Sequence, residues 1–228
     1  MINTASFFQC LIKNDITFYS GVADSLLKNI CAYISDYADS KNHIIAANEG
    51  NALAIGIGYH LATGKLPLIY MQNSGLGNIV NPLLSLSDPE VYSIPMLLMI
   101  GWRGQPGIKD EPQHKKQGKV TIEMLETMEV PYQILSSDKT NEQADEIIQT
   151  ATNEALKNNS PYAIVVQKDT FSKYTTKNDY FANYELFRED AIKTIVKNLD
   201  DKDIVISTTG VASRELFEYR EETNKDHK

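Results

Sequence analysis

The sequence predicts an α/β fold: an open, mostly parallel sheet flanked by helices, followed by the start of a second α/β domain. Three observations carry this expectation. Apolar residues recur with a period near 3.6 in some stretches and near 2 in others, and the two patterns alternate along the chain. Met96 to Ile100 is a continuous apolar run, as expected of a central strand buried on both faces. Short turns rich in glycine, asparagine and serine follow several strand candidates, where open parallel sheets place their ligands.

The first helix is expected over Thr4 to Lys13 and the first strand over Ile16 to Tyr19. Gly21-Val22-Ala23-Asp24-Ser25 then turns the chain and offers Asp24 or Ser25 as the cap of a helix with Leu26, Leu27, Ile30, Tyr33 and Ile34 on its apolar face. His43 to Ala47 is a brief strand, and Asn48-Glu49-Gly50-Asn51-Ala52 opens a helix that runs to Thr63 and is closed by Gly64. Pro67 to Gln72 is the third strand, and Asn73-Ser74-Gly75-Leu76-Gly77-Asn78 leads from it into another helix. After Met96 to Ile100 comes a long loop, Gly101 to Gly118, of the length that is usually functional or mobile. Helices over Thr121 to Met128 and Asn141 to Lys157 alternate with strands over Tyr132 to Leu135 and Tyr162 to Gln167, closing a domain over residues 1–170. A polar linker, residues 171–187, precedes a restart: a helix over Arg188 to Leu199, a strand over Ile204 to Ser207 and a helix over Ser213 to Tyr219. Residues 188–228 therefore read as the incomplete start of a further domain.

Hydrophobic residues make up 42% of the 228 and charged residues 23%, which excludes wholesale disorder and a fibrous protein. Lys and Arg number 22 against 30 Asp and Glu, a net charge of −8. That balance argues against a nucleic-acid or anionic-membrane partner, while a small anion in a local basic pocket stays open. The N-terminus has no basic segment and does not read as a signal peptide, and no run approaches the ~20 apolar residues of a bilayer span. Cys10 and Cys31 lack CxxC spacing and read as buried thiols; a cytoplasmic location is expected.

Gly75-Leu76-Gly77 after a strand invites a dinucleotide-binding reading, but valine at position 80 removes the third glycine of that pattern. A glycine turn that lets strand meet helix explains the glycines alone; Gln72, Asn73, Ser74 and Asn78 add hydrogen-bonding groups beside it. Glu49 lies between an apolar strand and a helix made slim by Ala52, Ala54, Gly56 and Gly58. It is either an ordinary first-turn glutamate facing the helix dipole or a sheltered carboxyl group suited to proton transfer. In the loop after Met96 to Ile100, Arg103 and Lys109 are candidate anion ligands and His114 a candidate proton carrier; a solvated mixed-charge loop is the alternative.

Gly21-Val-Ala-Asp-Ser25, Asn48-Glu-Gly-Asn-Ala52, Gln72-Asn-Ser-Gly-Leu-Gly-Asn78, and Gly101-Trp-Arg-Gly followed by Asp110-Glu-Pro-Gln-His114 occur in the order found in thiamine diphosphate-dependent decarboxylases. The chain resembles that family over residues 1–220, and more narrowly its phosphonopyruvate branch, with the sulfopyruvate branch beside it. The resemblance implies that residues 1–170 are the pyrimidine-binding domain and that thiamine diphosphate and Mg2+ are the cofactors. It implies decarboxylation of 3-phosphonopyruvate to phosphonoacetaldehyde in phosphonate biosynthesis, through an ylide of the cofactor. By the same resemblance Glu49 hydrogen-bonds N1′ of the cofactor's aminopyrimidine, with Asn73, Ser74, Gly75, Leu76 and Asn78 along the cofactor. Asp24 and His114 face the reacting centre, and Ser25, Arg103, Lys109 and Gln113 are the expected contacts of a small anionic 2-keto acid.

Two departures accompany the resemblance. The first turn reads Gly-Val-Ala-Asp where relatives commonly have proline third, and the Gly-Asp-Gly metal and diphosphate motif of the family's second domain is absent. No metal ligand is therefore expected in this chain, nor turnover by it alone. The cofactor is expected between the pyrimidine domain of one subunit and the diphosphate domain of another, hence a homo-oligomer. The alternatives are the pyrimidine-binding subunit of a two-chain sulfopyruvate decarboxylase, against which the segment beyond residue 170 speaks, and a non-catalytic binding or assembly module.

Overall fold

The apolar run expected as a central strand is one: in the computed structural model β4 (Met96–Gly101) lies inside a six-stranded sheet with all its residues buried. β3 (Leu68–Gln72), β1 (Tyr19–Gly21) and β2 (His43–Ile45) follow on one side; β6 (Pro161–Val166) and β5 (Tyr132–Leu135) lie on the other. Every pair is parallel. Each strand must therefore be reached by a crossover, and all six C-terminal ends open on one edge.

The described residues are 1–177, 185–200, 202–208 and 210–223. They belong to two units, Met1–Lys177 and Asn178–Lys228. In the first, side chains alternate along the strands to make two apolar layers. Tyr19, Leu68, Tyr70, Leu97, Met99 and Ile164 pack in one layer with α1 (Thr4–Lys13), α2 (Lys28–Tyr37) and α6 (Asn141–Asn158). Ile69, Met71, Leu98, Ile100, Ala163 and Val165 pack in the other with α3 (Glu49–Thr63), α4 (Leu76–Pro82) and α5 (Pro112–Thr127). The chain ends of this unit are stapled together: Ile2 N donates to Thr170 O at 2.8 Å, Ser172 N donates to Ile2 O at 2.8 Å, and Thr4 Oγ1 donates to Ser172 O at 2.7 Å.

Local signals account for several boundaries. Asn48 caps α3 by accepting from Asn51 N at 2.9 Å, and Gly64 ends it in the left-handed conformation, φ 70°. Thr140 and Gln143 form a capping box at the start of α6.

Four expectations need correction. The first strand is Tyr19–Gly21 rather than Ile16 to Tyr19, because its register is set by pairing with His43–Ile45 and Leu68–Tyr70. The following helix starts at Lys28, after Asp24 has accepted from the backbone of Leu26 and Leu27. The loop after β4 is shorter than Gly101 to Gly118: α5 begins at Pro112, a residue pre-organised for the first helical position. The segment Ile204 to Ser207 forms no strand; Ile204 and Ile206 are 76% and 93% exposed, and neither is paired in a sheet among the described residues.

The second unit contains α7 (Arg188–Lys197) and α8 (Val211–Glu222), joined by the Arg188–Glu215 ion pair at 2.7 Å. Of the expected linker, residues 178–184 lie outside the described residues. Cys10 and Cys31 are free thiols; burial pushes Cys31 up to about 12. Among the described residues, no helix is long and apolar enough to cross a membrane.

Leu98, fully buried at the centre of the sheet, tests the second layer. Leu98→Ala is expected to destabilise the unit by about 2–5 kcal/mol, read as a lowered urea midpoint.

Candidate active site

Glu49 is the first helical residue of α3 and is 9% exposed. Its side chain lies against Gly75, where a Cβ would overlap its Cγ and carboxyl carbon. Asn78, at the start of α4, donates its amide to Glu49 Oε2 at 2.6 Å. Oε1 has no hydrogen-bond partner among the described residues. The carboxyl group is thus walled by backbone, held by one oxygen and free to engage a donor through the other.

A second polar chain lies at the ends of β1 and β3. Asp24, 4% exposed, accepts through Oδ2 from Leu26 N at 3.1 Å and Leu27 N at 3.2 Å. Its Oδ1 accepts from Gln72 Nε2 at 2.8 Å, and Gln72 Oε1 accepts from Ser74 Oγ at 2.8 Å. Asp24 also fills the space beside Gly101 that a Cβ there would need. The ends of β1, β3 and β4 are therefore linked through one buried carboxylate.

The loop after β4 is organised by Asp110. Its carboxylate accepts from Arg103 Nε at 2.8 Å and Arg103 Nη2 at 2.5 Å, a bidentate pair, and from the backbone of Gly104 and Glu111 at 2.8 Å each. These donors, the Arg103 guanidinium first, hold the Asp110 carboxyl well below its ordinary range. The remaining guanidinium nitrogen, Nη1, donates to Ser25 Oγ at 2.8 Å. Gly104 takes φ 67°, and a Cβ there would strike the His114 carbonyl.

Asn73 is fully buried, and its side chain ties this loop to the sheet. Its Oδ1 accepts from Arg103 N at 3.1 Å, while its Nδ2 donates to Arg103 O and to Thr121 Oγ1 at 2.8 Å each.

The predicted residues thus fall into separate groupings. Glu49, Gly75 and Asn78 meet directly; Asp24 meets Ser74 through Gln72; Ser25 meets Arg103. Leu76 is fully buried in the apolar layer of α3 and α4. Gln113 and the half-buried His114 lie in the first turn of α5, and Lys109 is exposed on the loop before it. The sequence pointed to Gln72 only as a hydrogen-bonding group of the turn after β3 and did not single out Asp110 as a site residue. The signal for Asp110 was an arginine and an aspartate in one glycine-rich loop.

Asp110 gives a pH-dependent test. Its folded value is lowered from 3.8, so its contribution is present above that value and is lost as pH falls through the folded value. Asp110→Asn is expected to cost about 1.5–3 kcal/mol near neutral pH. In urea titrations the gap between wild type and variant should narrow in acid; a gap that is constant with pH contradicts the ion pair as its source.

Comparison with known proteins shows the family of the chain. A family model described as "Thiamine pyrophosphate enzyme, N-terminal TPP binding domain" matches residues 3–126. A phosphonopyruvate decarboxylase of Streptomyces viridochromogenes is 37% identical over 143 residues, 62% of this chain and 34% of that protein. Sulfopyruvate decarboxylase subunit alpha of Methanococcus maripaludis is 33% identical over 159 residues, 70% of this chain and 90% of that subunit. The chain spans about a third of the length of the phosphonopyruvate decarboxylases it matches, at 34% and 33%. In structure, benzoylformate decarboxylase from Polynucleobacter necessarius aligns with a TM-score of 0.56 at 18% identity, over 85% of this chain and 35% of that one, a likeness of fold. From the matched residues, which include Glu49, Gly75, Asn78 and the Arg103–Asp110 loop, the chain belongs to the thiamine pyrophosphate enzyme family and carries its N-terminal cofactor-binding domain.

Proposed function

We propose that this chain supplies the cofactor-activating carboxyl group of a thiamine diphosphate-dependent decarboxylase acting on a small anionic 2-keto acid, 3-phosphonopyruvate, to give phosphonoacetaldehyde and carbon dioxide. The observation that carries this reading is Glu49: a sheltered carboxyl group backed by Gly75, with Oε2 occupied by Asn78 and Oε1 available. That arrangement fits the aminopyrimidine of thiamine diphosphate, whose ring nitrogen needs a partner able to share a proton. When bound, the cofactor supplies a sink for the electron pair released as carbon dioxide leaves.

The residues of this chain have distinct tasks in that reading. Glu49 holds a proton between Oε1 and the ring nitrogen, and Asn78 fixes the plane of its carboxyl group. Asp24, through Gln72, orients the Ser74 hydroxyl. Asn73 acts as a strut for the Arg103 loop, with Gly75 and Leu76 setting the close approach of α3 and α4. His114, on the first turn of α5, moves a proton at the reacting centre, while Ser25, Lys109 and Gln113 meet the substrate. Arg103 contributes position more than charge, since Asp110 already neutralises it. Mg2+ and the diphosphate belong to a further domain, and the cofactor lies at a subunit interface of a cytoplasmic homo-oligomer. The domain organisation we favour is residues 1–170, a linker over 171–187 and the start of the diphosphate-binding domain over 188–228. Among the described residues, no group of three or more His, Cys, Asp or Glu side chains is arranged for a metal.

The match along 90% of a sulfopyruvate decarboxylase alpha subunit favours a second reading, the pyrimidine-binding part of an enzyme for sulfopyruvate. Competition between the two keto acids in the full-length enzyme separates the readings by their ratio of kcat/KM.

In the full-length protein, Glu49→Gln is expected to slow exchange of the cofactor's C2 proton by about 10²–10⁴-fold, followed by NMR in deuterium oxide, with the circular dichroism spectrum unchanged. Exchange at the wild-type rate would sink the assigned role.

A further inference from the structure

Beside the Arg103 loop the first unit carries a cleft of about 1250 Å³ that does not include Glu49, Gln72, Ser74 or Asn78. Met1 and three segments far apart in sequence wall it: α2 with the turn before it, the loop 102–112, and residues 168–176. The walls are tied together. Asn29 donates to Phe171 O at 3.4 Å and accepts from Tyr174 N at 3.3 Å, and Ile2 holds Thr170 and Ser172. Ser25 and Arg103, joined at 2.8 Å, both line it.

The charge in this cleft runs against that of the protein. Lys28, Lys109, Lys168 and Lys173 line it, and among the described residues none of the four has an ion-pair partner. Arg103 also lines it but is spent on Asp110, so the available positive charge is the four lysines, opposed by Glu111 and Asp169. A chain with a net charge of −8 repels anions at long range, and unpaired lysines facing one cleft make a local exception that concentrates them. Asn29, Gln105 and Thr175 add neutral polar groups on the same walls.

We infer that this cleft is a binding site for a small tetrahedral oxyanion, of the phosphate or phosphonate class, held by Lys28, Lys109, Lys168 and Lys173. The site is separate from the Glu49 carboxyl group and does not require the cofactor. Its ligand is either a free anion or the phosphonate end of the proposed substrate, which share the recognised chemistry.

The test uses the chain as it stands, without thiamine diphosphate. Inorganic phosphate is titrated against chloride at constant ionic strength, followed by 31P line broadening and by fluorescence of Trp102, the only tryptophan, which lines the cleft. The expected result is saturable broadening that weakens about tenfold in the double variant Lys28→Ala, Lys173→Ala, and is unchanged in Lys119→Ala, a lysine outside the cleft, and in Glu49→Gln. Displacement of phosphate by 3-phosphonopyruvate at about a tenth of its concentration identifies the substrate's phosphonate as occupant; equal potency identifies a free anion. Absence of saturable broadening overturns the inference. So does broadening that survives in the double variant or disappears in Glu49→Gln. Loss of the Glu49 role in the exchange experiment leaves this result standing, so the two readings fail separately.

Discussion

Neither Gly75 nor Gly101 leaves room for a side chain, because a carboxyl group already occupies the space: Glu49 at the first and Asp24 at the second. This exclusion places the polar groups of the site. Glu49 comes from the start of α3 and can reach Gly75 only because β3 feeds directly into the short helical turn Asn73–Gly75 and then α4. Asp24 comes from the end of β1 and reaches Gly101 because β3 alone separates β1 from β4 in the sheet. Each carboxyl group is pressed against backbone, with little freedom to rotate and a fixed set of donors. The parallel sheet delivers the segments to one edge; the two missing Cβ atoms let them touch.

Charge is used in two ways along that edge. Arg103 and Asp110 are only 18% and 14% exposed, and the bidentate geometry with three further hydrogen bonds makes them a brace for the loop. A pair satisfied so fully has little field left to offer a ligand. The exposed lysines around the cleft are the reverse: they stabilise little and are free to respond to an incoming anion. Rigidity and attraction are therefore divided between residues that a reading of charge alone treats alike.

The parts of the fold legible in the sequence are those in which local chemistry and tertiary packing agree. α1 and α6 carry apolar stripes with caps and have nearly the boundaries their periodicity predicts. β4 is apolar throughout because both faces are covered. The first strand was displaced because its pairing partners, not its own residues, choose its register. The first turns of α5 were hidden because Gln113, His114, Lys115 and Lys116 present no apolar stripe, and because tertiary bonds support them: Gln117 donates to Asn73 O, and Gly118 packs on Gly104. In the site, the small residues after Glu49 allowed a sheltered carboxyl group as one of two readings, and its seat on Gly75 joins two segments that only folding brings together. The bond between Asp110 and Arg103 lies within one loop, and what hid it was the backbone path between them, where Gly104 takes φ 67°.

The staple between Ile2 and residues 170–172 bears on the order of assembly. Within the unit α1 precedes the other elements, yet the bonds that fix its leading end come from the last segment of the unit, and the pairing of β4 with β6 also waits for residues beyond 160. Contacts so distant in sequence make folding slow and keep it incomplete while the chain emerges from the ribosome. A nascent chain that stops short of Pro161 leaves one edge of β4 unpaired, and one that reaches β6 but stops short of Thr170 still lacks the bonds that hold Ile2.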